Sequence, residues 1–329
     1  MPLFRYDGKL AGVVYDGQDG PLLFLPPTLT TGNIYYCDPV NGSDSNAGRA
    51  ATNAVKTLAQ GYSLLVSGHN DVLVLIGNGA STGSARVTTF TWAKDAAHLV
   101  GMCSPAALSQ RARIAFPTTT GLTVTANFFT VSGNGCLFQN LSFFQGASAG
   151  QTGIAAEICM TVSGMRNAFL NCDFEGMGDS VGATDTGSRN LLITAGENFF
   201  SHCNVGIDTV VRTNINASVE IKGNIPRTIF EDCTFPIWSS DGLQYILFGA
   251  AASALDRFTL FKRCNVMAAV NGTVLAAVCK LVANVGGIVC FDSGCGFFNC
   301  TAVGDATSKA QIFVSGGTAT NGVKGIVAT

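Results

Sequence analysis

Charge is scarce in this chain. Only 12% of its 329 residues are Asp, Glu, Lys or Arg, about half the usual share of a soluble domain. The 19 Lys and Arg residues are scattered without a basic run, and the net charge is −2, with a pI near 5.9. Phosphate binding needs clustered cations, so nucleic acid is excluded as a partner. Histidine is rarer still, with only His69, His98 and His202. There are two Trp and six Tyr, too few for the rows of exposed aromatics that sugar grooves favour. Mean hydropathy is positive, yet no window reaches the roughly 18 uninterrupted apolar residues of a membrane helix. A membrane partner is therefore not expected. The first residues, Met1-Pro2-Leu3-Phe4-Arg5, lack the charged, apolar and cleavage regions of a signal peptide. The expectation is a protein made or assembled in a reducing cytoplasm, with its 12 cysteines present as buried thiols. Nucleophile elbow, phosphate loop and dinucleotide fingerprint are all missing, and no cofactor is expected.

What the chain does have is phenylalanine, cysteine and glycine in a regular order. Phe-x-x-Cys-x-(Phe or Val) occurs at Phe169/Cys172/Phe174, Phe200/Cys203/Val205, Phe230/Cys233/Phe235 and Phe261/Cys264/Val266. Two weaker copies flank these, Phe138/Leu141/Phe143 and Phe297/Cys300/Ala302. The leading phenylalanines are spaced by 31, 31, 30, 31 and 36 residues. Strand side chains alternate, so Cys and the apolar residue two positions on share a face. The Phe three positions before the Cys breaks that alternation and demands a tight bend. The residue before the Cys slot is Asn140, Asn171, His202, Asp232, Arg263 or Asn299, and Asn and Asp tolerate left-handed backbone angles. A second apolar stretch ending in a turn lies upstream of the Phe, as in Leu191-Leu192-Ile193-Thr194-Ala195-Gly196. Each period reads as strand, turn, strand, tight bend, strand and variable loop. Stacked periods bury a core that no single coil could bury. The spacing thus predicts an all-β chain, a single-stranded right-handed parallel β-helix. Phe and Cys at 138, 169, 172, 200, 203, 230, 233, 261, 264, 297 and 300 are its predicted core.

Residues 1–33 fit no coil, carry Pro26-Pro27 and read as an extended arm. Residues 34–80 read as a cap made of strand, polar loop, helix and strand, with helical spacing over 53–67. Coils fill 81–303, and 304–329 reads as a C-terminal cap or interface tail. The order of strand, Asn41-Gly42-Ser43-Asp44-Ser45-Asn46-Ala47-Gly48 loop, helix and Asp71-Val72-Leu73-Val74-Leu75 strand resembles the N-terminal cap of pectate-lyase-like β-helix proteins. The likeness is greatest to members in bacteriophage virions. The resemblance covers about 34–80 and 110–303, and it implies a homotrimer.

A glycosidase on such a coil needs two carboxylates about 5–9.5 Å apart on an accessible surface. Asp173 and Glu175, two positions apart, are the best pair, set against a bland reading as part of a solvated loop. Their slots become Asn204, Thr234, Asn265 and Thr301, and Gly206, Pro236, Met267 and Val303, so no acidic ladder is expected. Cys290, Cys295 and Cys300 lack zinc-site spacing, and no metal is expected. Trp92 and Trp238 are the candidate stacking platforms. The function expected is a non-enzymatic virion protein, a capsid decoration or cement protein. It would pair with itself as a homotrimer and bind the major capsid protein, or another virion protein, through the arm. The alternative is a tailspike or tail fibre that binds or depolymerises host glycan as a hydrolase or lyase.

Overall fold

The computed structural model describes residues 5–6, 9–10, 30–103, 112–249, 254–281, 286–305, 311–315 and 326–327. Three long sheets run along it, and neighbouring strands in each come from successive coils. The first contains Leu137–Gln139, Ala168–Leu170, Phe199–Ser201, Thr228–Glu231, Phe258–Lys262 and Ile288–Phe291. The second contains Ser142–Phe144, Asp173–Glu175, Asn204–Val205, Thr234–Ile237, Asn265–Ala268 and Gly296–Phe298. The third contains Asn127–Val131, Ile158–Val162, Arg189–Ile193, Ala217–Ile221, Tyr245–Gly249 and Cys279–Leu281. Pairing within these strands is parallel, as in Phe138↔Phe169↔Phe200↔Phe230↔Phe261. The chain is a parallel β-helix with the order of strands, bend, turn and loop that the repeat predicts.

The tight bend is made as expected. Asn140, Asn171, His202, Asp232 and Arg263 have φ of 50–56°, the left-handed region. Asn171 Nδ2 donates to Asn140 Oδ1 on the coil below at 2.9 Å. Inside, the rings of Phe138, Phe169, Phe200, Phe230, Phe261 and Phe291 stack face to face, with centroids 4.6–5.0 Å apart. That spacing is close to the strand separation of a sheet, so the ring stack and the backbone ladder share one rise.

The last predicted copy is in the wrong register. Phe291, not Phe297, continues the ring stack, and Phe297 pairs with Val266 in the second sheet. Cys295, not Cys300, continues the thiol stack. Each thiol, Cys172, Cys203, Cys233, Cys264 and Cys295, donates to the carbonyl of the Phe in the preceding coil at 3.4–3.5 Å. The cause is local. The bend Asp292-Ser293-Gly294 is one residue longer than the others, and Phe297-x-x-Cys300 happens to imitate the unit. The true interval is 30 residues, from 261 to 291.

In the cap, Ile34–Cys37 and Val72–Ile76 add to the first sheet, with a helix at Leu58–Leu64 between them. The helix is shorter than the 53–67 spacing suggested, because Thr57 caps its start and residues 51–53 form a separate 3-10 turn. It packs closely on the strand: a Cβ added to Gly61 would meet Leu73 Cδ1 at 2.8 Å. At the far end Ile312–Val314 joins the first sheet in parallel and Ile326–Val327 pairs on it antiparallel. Of the arm, Arg5–Tyr6 and Lys9–Leu10 pair antiparallel, and its remaining residues up to 29 lie outside the described ones.

Candidate functional site

Asp173 and Glu175 flank Phe174, whose ring stacks on Phe143 in the interior, so both acids leave the outer side of the second sheet. That face is not solvated, and both residues are buried. Arg113, one rung beyond Ser142, donates from Nη2 to Glu175 Oε2 at 3.0 Å, and the Ser142 hydroxyl lies 3.3 Å from the same oxygen. The Arg113 guanidinium also covers the Phe144 ring at 4.2 Å. Glu175 is thus the buried partner of an ion pair whose other member, Arg113, is half-buried. The register confirms the slots Asn204, Thr234 and Asn265 beyond Asp173, and Met267 after Pro236. It corrects their ends, because Gly296 and Phe298 take the places assigned to Thr301 and Val303.

The other sequence candidates separate. Trp92 is buried, with its indole N–H on the Ala97 carbonyl at 3.1 Å, so it is no surface platform. Trp238 is half-buried, and its backbone carbonyl accepts from Arg212. His69 donates or accepts at 2.7 Å with the fully buried Asp71, a carboxylate that also takes the Asn33 and Val66 N–H groups. These contacts outweigh burial and hold Asp71 below the usual carboxylate range. His98 Nδ1 accepts from Leu137 N at 3.0 Å, which fixes a neutral ring, and burial pushes its pKa down. In the cap loop Asp44 is fully occupied by Lys56 N, Thr57 N and the Thr57 hydroxyl. Burial raises the Cys203 and Cys233 thiols well above the ordinary value, so they are inert packing groups. No group of three or more His, Cys, Asp or Glu placed to hold a metal occurs among the described residues.

Two buried titratable residues escape the sequence reading because they lie in loops of unequal length between the second and third sheets. Arg212 is fully buried, giving Asn216 Oδ1 two bonds of 2.9 and 2.7 Å and Ser218 Oγ one of 3.1 Å, and burial lowers it to about 9. Glu157 is fully buried beside Asp179, and both its oxygens lack a hydrogen-bond partner. Burial, then Asp179, raises its pKa to about 9, so it is a neutral acid at pH 7.

Ion pairs run mostly between coils. Arg166 and Arg227 both reach Glu197, Arg189 reaches Glu220, and Lys262 and Arg263 reach Glu231. The partners are about one period apart, so each pair fastens one rung to another. The surface of the loops is different. Val181, Ile215, Leu243 and Val274 stand exposed on successive loops, and Met267 and Phe298 are exposed in the second sheet.

No protein-family model matches the sequence, and no curated protein is significantly similar to it. Solved structures do share its chain path. A pectin methylesterase in complex with a hexasaccharide superposes with a TM-score of 0.54 at 13% identity, over 87% of this chain and 88% of that one. PemA, a pectin methylesterase from Erwinia chrysanthemi, gives 0.52 at 13% over 87% and 89%. The Aspergillus niger pectin methylesterase gives 0.51 at 11% over 86% and 81%. At such identities the likeness establishes the fold, an all-β parallel solenoid with a period of about 31 residues.

Proposed function

We propose that the chain is a non-enzymatic structural protein of a bacteriophage virion, a decoration or cement protein that binds the capsid surface as a homotrimer. One observation carries this reading: most ion pairs run from coil to coil, while aliphatic side chains stand exposed on successive loops of one flank. A rigid solenoid with an apolar flank is suited to standing against other subunits. Pairing of Glu175 with Arg113 supports a packing role for the acid pair that a glycan hydrolase would need exposed. The pectin methylesterases share the path of the chain, and their chemistry depends on sites rather than path. The N-terminal arm is the proposed link to the major capsid protein.

Cosedimentation with particles stripped of this protein tests the reading. The full chain is expected to bind, and a chain lacking residues 1–30 is expected to stay folded and trimeric without binding. Clearing of host capsule polysaccharide by the purified protein, abolished by Asp173→Asn, would overturn it in favour of a depolymerase.

A further inference from the structure

The two corners that flank the third sheet carry opposite charge over the same coils. At one corner run the loops between the second and third sheets, 176–188, 206–216, 238–244 and 269–278. They hold Asp179, Asp185, Asp208 and Asp241, and their only basic residue, Arg212, is fully buried. The exposed Val181, Ile215, Leu243 and Val274 lie among these acids. The loops are in register: Asp241 accepts from Asn214 N on the loop below, and Gly242 O from Ala276 N on the loop above.

At the other corner, the turns between the third and first sheets carry Arg166, Lys222, Arg227 and Arg257, all exposed, against Glu197 and Asp256. In these pairs the acid is the more covered partner, with side-chain exposure of 23% for Glu197 against 70% and 53% for Arg166 and Arg227. The turn corner therefore presents guanidinium groups outward.

The geometry points to a heterologous interface between copies of this chain, in which the apolar, acidic loop corner of one copy packs against the cationic turn corner of the next. The inference rests on the homotrimer reading above and names its surfaces. Two loop corners facing each other would set Asp against Asp, which disfavours an isologous contact. A head-to-tail contact pairs aspartates with arginines and covers the aliphatic row. The third sheet lies between the two corners in every coil, so each copy offers one corner to the neighbour on either side. Copies then stand side by side with coils level, and Leu243 meets a neighbour between Arg227 and Arg257.

Complementation between two variants tests this. Leu243→Arg breaks the loop corner and leaves the turn corner whole; Arg227→Glu does the reverse. All these side chains are exposed, and far-UV circular dichroism with thermal melting checks that each variant folds, with Val274→Arg and Arg257→Glu as second variants of each kind. By light scattering, wild type is expected to be a trimer and each variant alone a monomer. An equimolar mixture is expected to reassemble into mixed oligomers, because an intact loop corner meets an intact turn corner and, at the alternate contact, the introduced Arg faces the introduced Glu. A monomeric wild type would sink the homotrimer reading. A trimeric wild type whose variants remain trimeric, or whose monomeric variants fail to pair on mixing, would overturn the heterologous interface alone.

Discussion

Six positions separate Phe291 from Phe297, and they have different surroundings. Phe291 is buried in the ring stack, while Phe297 is only partly buried at the edge of the last coil. Truncating a buried aromatic costs about 3–5 kcal/mol. Urea unfolding should therefore show losses of about that size for Phe200→Ala and Phe291→Ala, and less than half as much for Phe297→Ala. Equal losses at 291 and 297 would contradict the register. Glu157 gives a residue-scale test in pH. Its folded pKa, about 9, lies above the ordinary 4.5, so the folded chain holds a proton that the unfolded chain releases between those values. This group's contribution to stability is greatest below pH 4.5, falls as pH rises through the window, and is flat above 9. Glu157→Gln stays neutral throughout. Melting curves from pH 5 to 9 should show wild type losing stability relative to the variant, and parallel curves would refute the assignment. For Glu175→Ala the expected outcome is a loss of about 1–3 kcal/mol in unfolding free energy, because the half-buried Arg113 is left without its charged partner.

At the scale of elements, the sequence displayed whatever recurs at constant spacing. The Phe-x-x-Cys unit gave the strands on either side of the bend, and the left-handed residues Asn140, Asn171, His202, Asp232 and Arg263 sit where the broken alternation demanded them. The same unit misled at its last copy, where one inserted residue in 292–294 changed the register. A second ladder went unread. Asn167 Oδ1 accepts from Cys136 N, and its own N–H donates to Asn198 Oδ1, while the two amide groups donate to Gly133 O and Gly164 O. This Asn, two residues before the leading Phe, is replaced by other types in neighbouring coils, so no repeat shows it. Asn198→Ala strands a buried N–H and a buried carbonyl, and chemical denaturation should show a loss of about 1–3 kcal/mol. The Glu157–Asp179 approach and the burial of Arg212 were illegible for a related reason: these residues sit in loops whose lengths differ from coil to coil, and only the folded path brings the two acids together. The outward direction of Asp173 and Glu175 followed from strand alternation, but the ion-pair partner of Glu175 is Arg113, two coils earlier in the chain.

Across the whole molecule, low charge and regular stacking describe a rod stabilised rung by rung. Its nearest-neighbour architecture makes each coil depend on the next, while the exposed aliphatic row and the opposed charges of its two corners leave lateral contacts to be made. Both properties suit a piece that stands among copies of itself on a larger surface. Location tests that account most directly. If the chain is the decoration protein proposed above, low-resolution imaging of the phage particle, with and without the protein, should show three-fold density at capsid lattice positions that disappears with it. Density confined to the tail, with a bare capsid lattice in both samples, would contradict the account.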